Sequence, residues 1–131
     1  MPFEIFDAKE EPLVYGRAYG RGHRDEGHRM ITALLSHAER RPAVPVLIDL
    51  TELTSVPRRS VAEVFALRLA GGLANRRVAF VSATSAAFLV ARYIEQFSPQ
   101  HDVVSATFID RAMALQWLRG AIDVSPSSDW L

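Results

Sequence analysis

The sequence predicts an α/β domain, a five-stranded, mixed and mostly parallel sheet with four helices in the order β-β-α-β-α-β-α-β-α. Three observations predict it. Short continuous apolar runs, such as Val46-Leu47-Ile48 and Val78-Ala79-Phe80-Val81, have the pattern of strands covered on both faces. Between them lie segments whose apolar residues recur at helical spacing. Strands alternating with helices imply crossover connections and a parallel sheet. The 131 residues suit one domain, expected over 1–124 with a loose tail over 125–131.

Phe3-Glu4-Ile5-Phe6 roughly alternates, as a half-buried strand does, and Leu13 to Tyr19 forms a second strand across the short turn around Lys9-Glu10-Glu11-Pro12. So short a link makes the two an antiparallel pair. Asp25 suits a helix N-cap, and Met30, Ile31, Leu34, Leu35 and Ala38 follow at helical spacing until Arg40-Arg41-Pro42. Val44 to Leu50 is the third strand, with Pro45 near its start, where a missing N–H is tolerated. Ser60 and Glu63, three apart, form the pattern of a capping box for the next helix. That helix is expected to end at Gly71-Gly72 through a left-handed cap. Arg77 to Ser82 is the fourth strand, Ala86 to Phe97 the third helix and Val103 to Ile109 the fifth strand. Asp110 caps a final helix through Trp117 and Leu118, which are expected to seal it onto the sheet.

Composition narrows the function. Net charge is zero, so no overall field favours nucleic acid or an anionic membrane. Lys9 is the single lysine among fifteen basic residues. The absence of cysteine excludes disulfides, thiol catalysis and thiolate metal sites. The first residues are too acidic for a signal peptide, and no apolar run is long enough to span a bilayer. A cytoplasmic location is the expectation.

Two helices carry more apolar surface than one sheet needs. In Ser60–Leu73 the core stripe is Ala62, Phe65, Ala66, Leu69 and Leu73, which leaves Val64 and Leu67 on the other side. In Ala86–Phe97 the broad stripe includes Leu89, Val90 and Tyr93, while Phe88 falls on the far face between Arg92 and Glu95. Other features have plainer explanations. Gly16-x-x-x-Gly20-x-Gly22 lacks the spacing of a phosphate-binding loop and reads as turn chemistry. His23 and His28 are five apart and do not stack on one helix face as metal ligands would. The pairs Arg40-Arg41, Arg58-Arg59 and Arg76-Arg77 sit at element boundaries and are expected to be solvated ends.

Particular residues carry a family resemblance. Val46-Leu47-Ile48-Asp49-Leu50, Arg77-Val78-Ala79-Phe80-Val81 and the closing stretch Phe108-Ile109-Asp110-Arg111-Ala112-Met113-Ala114-Leu115-Gln116-Trp117-Leu118 resemble the SpoIIAA-like family of the STAS-like fold. The resemblance spans almost the whole chain. It implies a fold first, and likens the chain either to phosphorylatable anti-anti-sigma regulators or to CRAL-TRIO carriers of apolar ligands. Such regulators present a serine or threonine in an Asp-Ser-Ser/Thr-Gly turn. The matching stretch here, Asp49 to Ser60, has a serine near that place without the turn motif.

The resulting expectation is a non-enzymatic binding or regulatory module with no cofactor, no metal and no nucleic-acid partner. Val64, Leu67, Phe88 and Tyr93 are the candidate contacts, filled by a second copy of the chain, an apolar small molecule or a membrane surface. Ser60 beside Arg58 and Arg59 is a candidate phosphosite for a partner switch. An enzyme would use the carboxyl ends of the parallel strands, near Asp49, Ser82 and Asp110.

Overall fold

The computed structural model describes residues 3–7, 12–21, 24–41, 44–54, 58–82, 92, 93, 96 and 104–120. Five strands form one sheet in sequence order: β1 (Phe3–Asp7), β2 (Val14–Gly20), β3 (Val46–Leu53), β4 (Arg77–Val81) and β5 (Val104–Phe108). β1 runs antiparallel to β2, and the later neighbours are all parallel. The mixed, mostly parallel sheet is therefore as the sequence predicts. Three helices are described: α1 (Arg24–Arg40), α2 (Arg59–Gly72) and α3 (Arg111–Leu118). The predicted helix Ala86–Phe97 lies outside the described residues except for Arg92, Tyr93 and Gln96, which are helical. The tail over 125–131 also lies outside them.

Alternation along the strands builds two cores. Val14, Ala18, Ile48, Val78 and Phe80 point to one face, beneath Met30, Ile31 and Leu34 of α1 and Phe65, Ala66 and Leu69 of α2. Tyr15, Leu47, Ala79, Val81 and Phe108 point to the other, beneath Ala114, Trp117 and Leu118 of α3. Trp117 is fully buried, with its ring 5.7 Å from that of Phe108. Asp110 caps α3 as expected, accepting from the Ala112 N–H at 2.8 Å. Pro45 precedes β3, and its carbonyl accepts the Val14 N–H at 3.0 Å.

Three expectations fail here, each for a physical reason. Ser60 does not cap α2. The N-cap is Arg58, in extended backbone with no side-chain cap, and Glu63 instead pairs with Arg59 at 3.1 Å. Gly71 and Gly72 do not form a left-handed cap, because α2 runs through both and positive φ waits until Asn75. Gly72 answers to space instead. A Cβ there would fall 2.7 Å from Leu35 Cδ1 and nearer still to Cδ2, so glycine is what lets α1 and α2 approach. Arg76 and Arg77 are not solvated ends. Arg76 donates to the carbonyls of Ala38 (2.6 Å), Arg41 (2.8 Å) and Val44 (3.2 Å), tying the end of α1 to the segment that leads into β3. Burial lowers the pKa of its guanidinium. Arg77 lies over the Trp117 ring at 4.6 Å and donates to the Trp117 carbonyl at 2.8 Å.

Candidate docking face on α2

The buried stripe of α2 is complete without Val64 and Leu67. Ala62, Phe65, Ala66, Leu69 and Ala70 fill the side toward the sheet and α1. Val64 and Leu67 remain 46% and 45% exposed. They lie three apart, so they share one helix face, and spacings of four extend that face to Ser60 and Gly71. The line Ser60-Val64-Leu67-Gly71 is thus small, large, large, small. A Cβ on Gly71 would meet nothing within 4 Å, in contrast with its neighbour Gly72. Nothing among the described residues requires glycine at position 71.

An open groove runs beside this face between the starts of α1 and α2, lined by Arg24, Asp25, His28, Ser60, Val61 and Val64. His28, which lines it, is bonded to Arg68. That guanidinium reaches His28 Nδ1 at 3.0 Å, the His28 carbonyl at 3.2 Å and Thr32 Oγ1 at 2.9 Å. The His28 ring packs edge-on to Phe65, with centroids 4.9 Å apart. Ser60 is exposed in the first turn of α2, and its side chain makes no hydrogen bond among the described residues. Tyr93 is half-buried and its ring lies 5.6 Å from the Arg59 guanidinium, which brings it to that same first turn. Phe88 lies outside the described residues. Of the candidate contacts, then, Val64 and Leu67 share the outer face of α2, and Tyr93 reaches its first turn.

The residues considered for an enzyme site have separate surroundings. Asp49 points to the α3 face, where Oδ2 accepts from the Tyr15 hydroxyl at 2.9 Å. Its Oδ1 accepts from the Thr51 N–H at 2.9 Å and from Thr51 Oγ1 at 2.6 Å. Burial, and then the hydrogen bond to Asp49, push the Tyr15 hydroxyl up to about 12. Arg111 covers the Tyr15 ring at 4.6 Å. Asp49 pairs with Val81 in register, so the next residue, Ser82, alternates to the opposite face of the sheet. There its hydroxyl is buried and without a partner among the described residues. Asp110 is occupied as the α3 cap. Among the described residues no group of three or more His, Cys, Asp or Glu could hold a metal, and His23 lies outside them. No helix among them is long and apolar enough to cross a membrane.

A second exposed apolar pair escaped the sequence reasoning. Ile109 is 77% exposed and Met113, one turn into α3, is 42% exposed. The i, i+4 spacing was the available signal, but the segment's Trp117 and Leu118 marked it as core.

Structural comparison identifies the architecture. An uncharacterized protein of the DUF3478 family from Shewanella loihica, with a SpoIIAA-like fold, matches over 89% of this chain and 92% of its own, with a TM-score of 0.61 and 22% identity. The anti-sigma factor antagonist SpoIIAA in its unphosphorylated form matches over 93% of this chain and 100% of its own, with a TM-score of 0.64 and 14% identity. The chain has the SpoIIAA-like fold. No family model matches the sequence, and no curated protein does. Neither structural neighbour supports the likening to CRAL-TRIO carriers. Within the SpoIIAA-like frame, α2 is the helix that follows the central strand β3, and its first turn holds Ser60.

Proposed function

We propose that this SpoIIAA-like chain is a non-enzymatic docking module that binds through the outer face of α2, with a second copy of itself as partner. The observation that carries this is the exposure of Val64 and Leu67 on a helix whose buried stripe is already filled. A helix apolar beyond its core stripe is either buried twice or bound to something. The small-large-large-small line supports a two-fold pairing. Antiparallel helices would set Val64 of one copy against Leu67 of the other, and Ser60 against Gly71, and a two-fold interface must be self-complementary in this way. The open space over Gly71 is where the backbone of a second helix would approach.

The chain has no cysteine, which makes the test clean. Val64→Cys and Leu67→Cys are made separately, mixed and oxidised. The expected result is a disulfide-linked heterodimer in high yield, with none when Asn75→Cys replaces either partner. Light scattering should show a dimer that Leu67→Asp converts to a monomer with its fold intact. A monomer at every concentration, with no cross-link, rejects the proposal.

A second reading has its own support. Ser60 is released from the capping role that the sequence suggested, stands exposed at a helix start and is flanked by Arg58 and Arg59. A phosphate there would be favoured by the helix dipole and by arginine pairing. In this reading the module is a partner switch of the anti-anti-sigma type. Ser60→Ala and Ser60→Asp should then differ in the partner they retain, and equal binding by both excludes it.

A further inference from the structure

We infer that the groove between the starts of α1 and α2 receives the turn over residues 73–75 of the second copy, and that Arg24 donates to the last carbonyls of that copy's α2. The contact rests on the pairing proposed for α2 and widens it. One helix face is too narrow for a stable dimer. The outer face of α2 offers two half-exposed side chains, Val64 and Leu67, between two small residues. Stable partners bury roughly 800 Å² each, well beyond what such a face presents. The contact must therefore spread to one flank of the helix. At about 100° per residue, Arg59 and Glu63 lie on one flank, joined as an ion pair at 3.1 Å. Val61 and Arg68 lie on the other, toward α1, where Arg68 bonds to His28 and Thr32. That second flank opens into the groove, about 490 Å³, which shares Ser60 and Val64 with the outer face itself.

Register then selects the occupant. With Val64 set against Leu67 and Ser60 against Gly71, the residues after Gly71 lie beyond Ser60, at the start of the facing α2. A two-fold axis across antiparallel helices leaves both α1 helices on the same side of the pair. The end of α2 in one copy therefore lies beside the groove of the other. At that end Ala74 and Asn75 are exposed, and Asn75 holds a left-handed backbone at φ 65°. The Asn75 amide both donates and accepts, which suits a groove lined by Arg24, Asp25 and Ser60. Charge agrees with this placement. The last turn of α2 contains no basic residue to offset the partial negative charge of a helix C-terminus. Arg24 supplies a cation at the facing position. Its side chain is 70% exposed, and its nearest carboxylate among the described residues, Asp25, is 3.9 Å away, beyond hydrogen-bond length.

The lack of cysteine lets both levels be read side by side on the whole chain. Asp25→Cys and Asn75→Cys chains are made separately, mixed and treated with a short thiol cross-linker, next to the Val64→Cys and Leu67→Cys mixture. Both mixtures should give linked heterodimer. Arg40→Cys, at the far end of α1, should give none with Asn75→Cys. In sedimentation over a series of concentrations, Arg24→Gln should raise the dissociation constant of the dimer about tenfold, since a charge-assisted contact is lost at each of the two grooves. The unfolding midpoint of the dilute monomer should not move, because Arg24 is exposed in its own chain. A Val64–Leu67 link without the Asp25–Asn75 link, or an Arg24→Gln chain that associates like the wild type, overturns the inference and leaves the α2 pairing in place. Loss of both links removes the pairing itself, and the inference with it.

Discussion

The two faces of the sheet are closed by different means. Under α1 and α2 the closure is mostly aliphatic and depends on shape, and it includes a glycine, Gly72, that lets one helix nest on the other's Leu35. Under α3 one large aromatic does most of the covering, and polar contacts surround it. Trp117 contacts both Phe108 and the Arg77 guanidinium, while further along the strands Asp49 gathers Tyr15 and Thr51. The first kind of closure spreads its cost over many small contacts and leaves an outer helix face free. The second concentrates its cost in a few named groups. Substitutions should therefore fail abruptly under α3 and gradually under α2.

The largest effect should come from Trp117→Ala, at about 3–5 kcal/mol in a denaturant titration. Its indole N–H has no partner among the described residues, so the loss is one of packing. Trp117→Phe should recover most of it. If Phe is as damaging as Ala, the face is held by something other than buried volume. Arg76→Ala comes next, at about 2 kcal/mol, because the carbonyls of Ala38, Arg41 and Val44 lose a shared donor. Arg76→Lys should restore only part of this, since an ammonium lacks the planar fork that spans them. This contact sits on the aliphatic side. A loss as large as that from Trp117→Ala would show that this side too depends on one group.

The Tyr15–Asp49 pair should cost about 1–2 kcal/mol when cut by Tyr15→Phe, which leaves a buried carboxylate with one donor fewer. It also predicts a pH dependence. The hydroxyl is raised from 10.0 to about 12 in the folded chain. A raised value means that folding favours the protonated form. The stability this contributes is fully present below pH 10 and is lost as pH climbs through 12. Ultraviolet titration should show one of the tyrosines ionising late, and Tyr15→Phe should remove that component.

How much of this was legible in the sequence divides along the same line. Apolar runs and helical spacing place the strands and the core faces of α1, α2 and α3, because burial selects residue type position by position. The exposure of Val64 and Leu67 was legible too, since a stripe that already fills one side must leave the rest outside. Contacts between distant residues were not. Asp49 reads as one polar residue in an apolar strand, and its partner Tyr15 lies 34 positions away. Arg76 finds carbonyls 32 to 38 positions upstream, with no local pattern to announce them. The Ser60–Glu63 spacing is that of a capping box, but the N-cap falls two residues earlier, at Arg58, and Arg59 takes the glutamate.

The adjacent glycines give the smallest and most discriminating test. In sequence Gly71 and Gly72 are equivalent, because freedom in φ and lack of a side chain are the same property of the residue. In the fold they separate. Both are helical, so neither uses the freedom, and only Gly72 uses the space. Gly72→Ala gains helix propensity but forces Leu35 out of its place, for a net loss of about 1 kcal/mol. Gly71→Ala meets open space and should gain about 0.5–1 kcal/mol in the isolated monomer. Under the pairing proposed for α2, the same Gly71→Ala change would crowd the second helix. Stability measured well below the dimerisation range should then rise while association weakens. A Gly71→Ala chain that is more stable and associates as well as the wild type would leave the face of α2 free of any close-packed second helix.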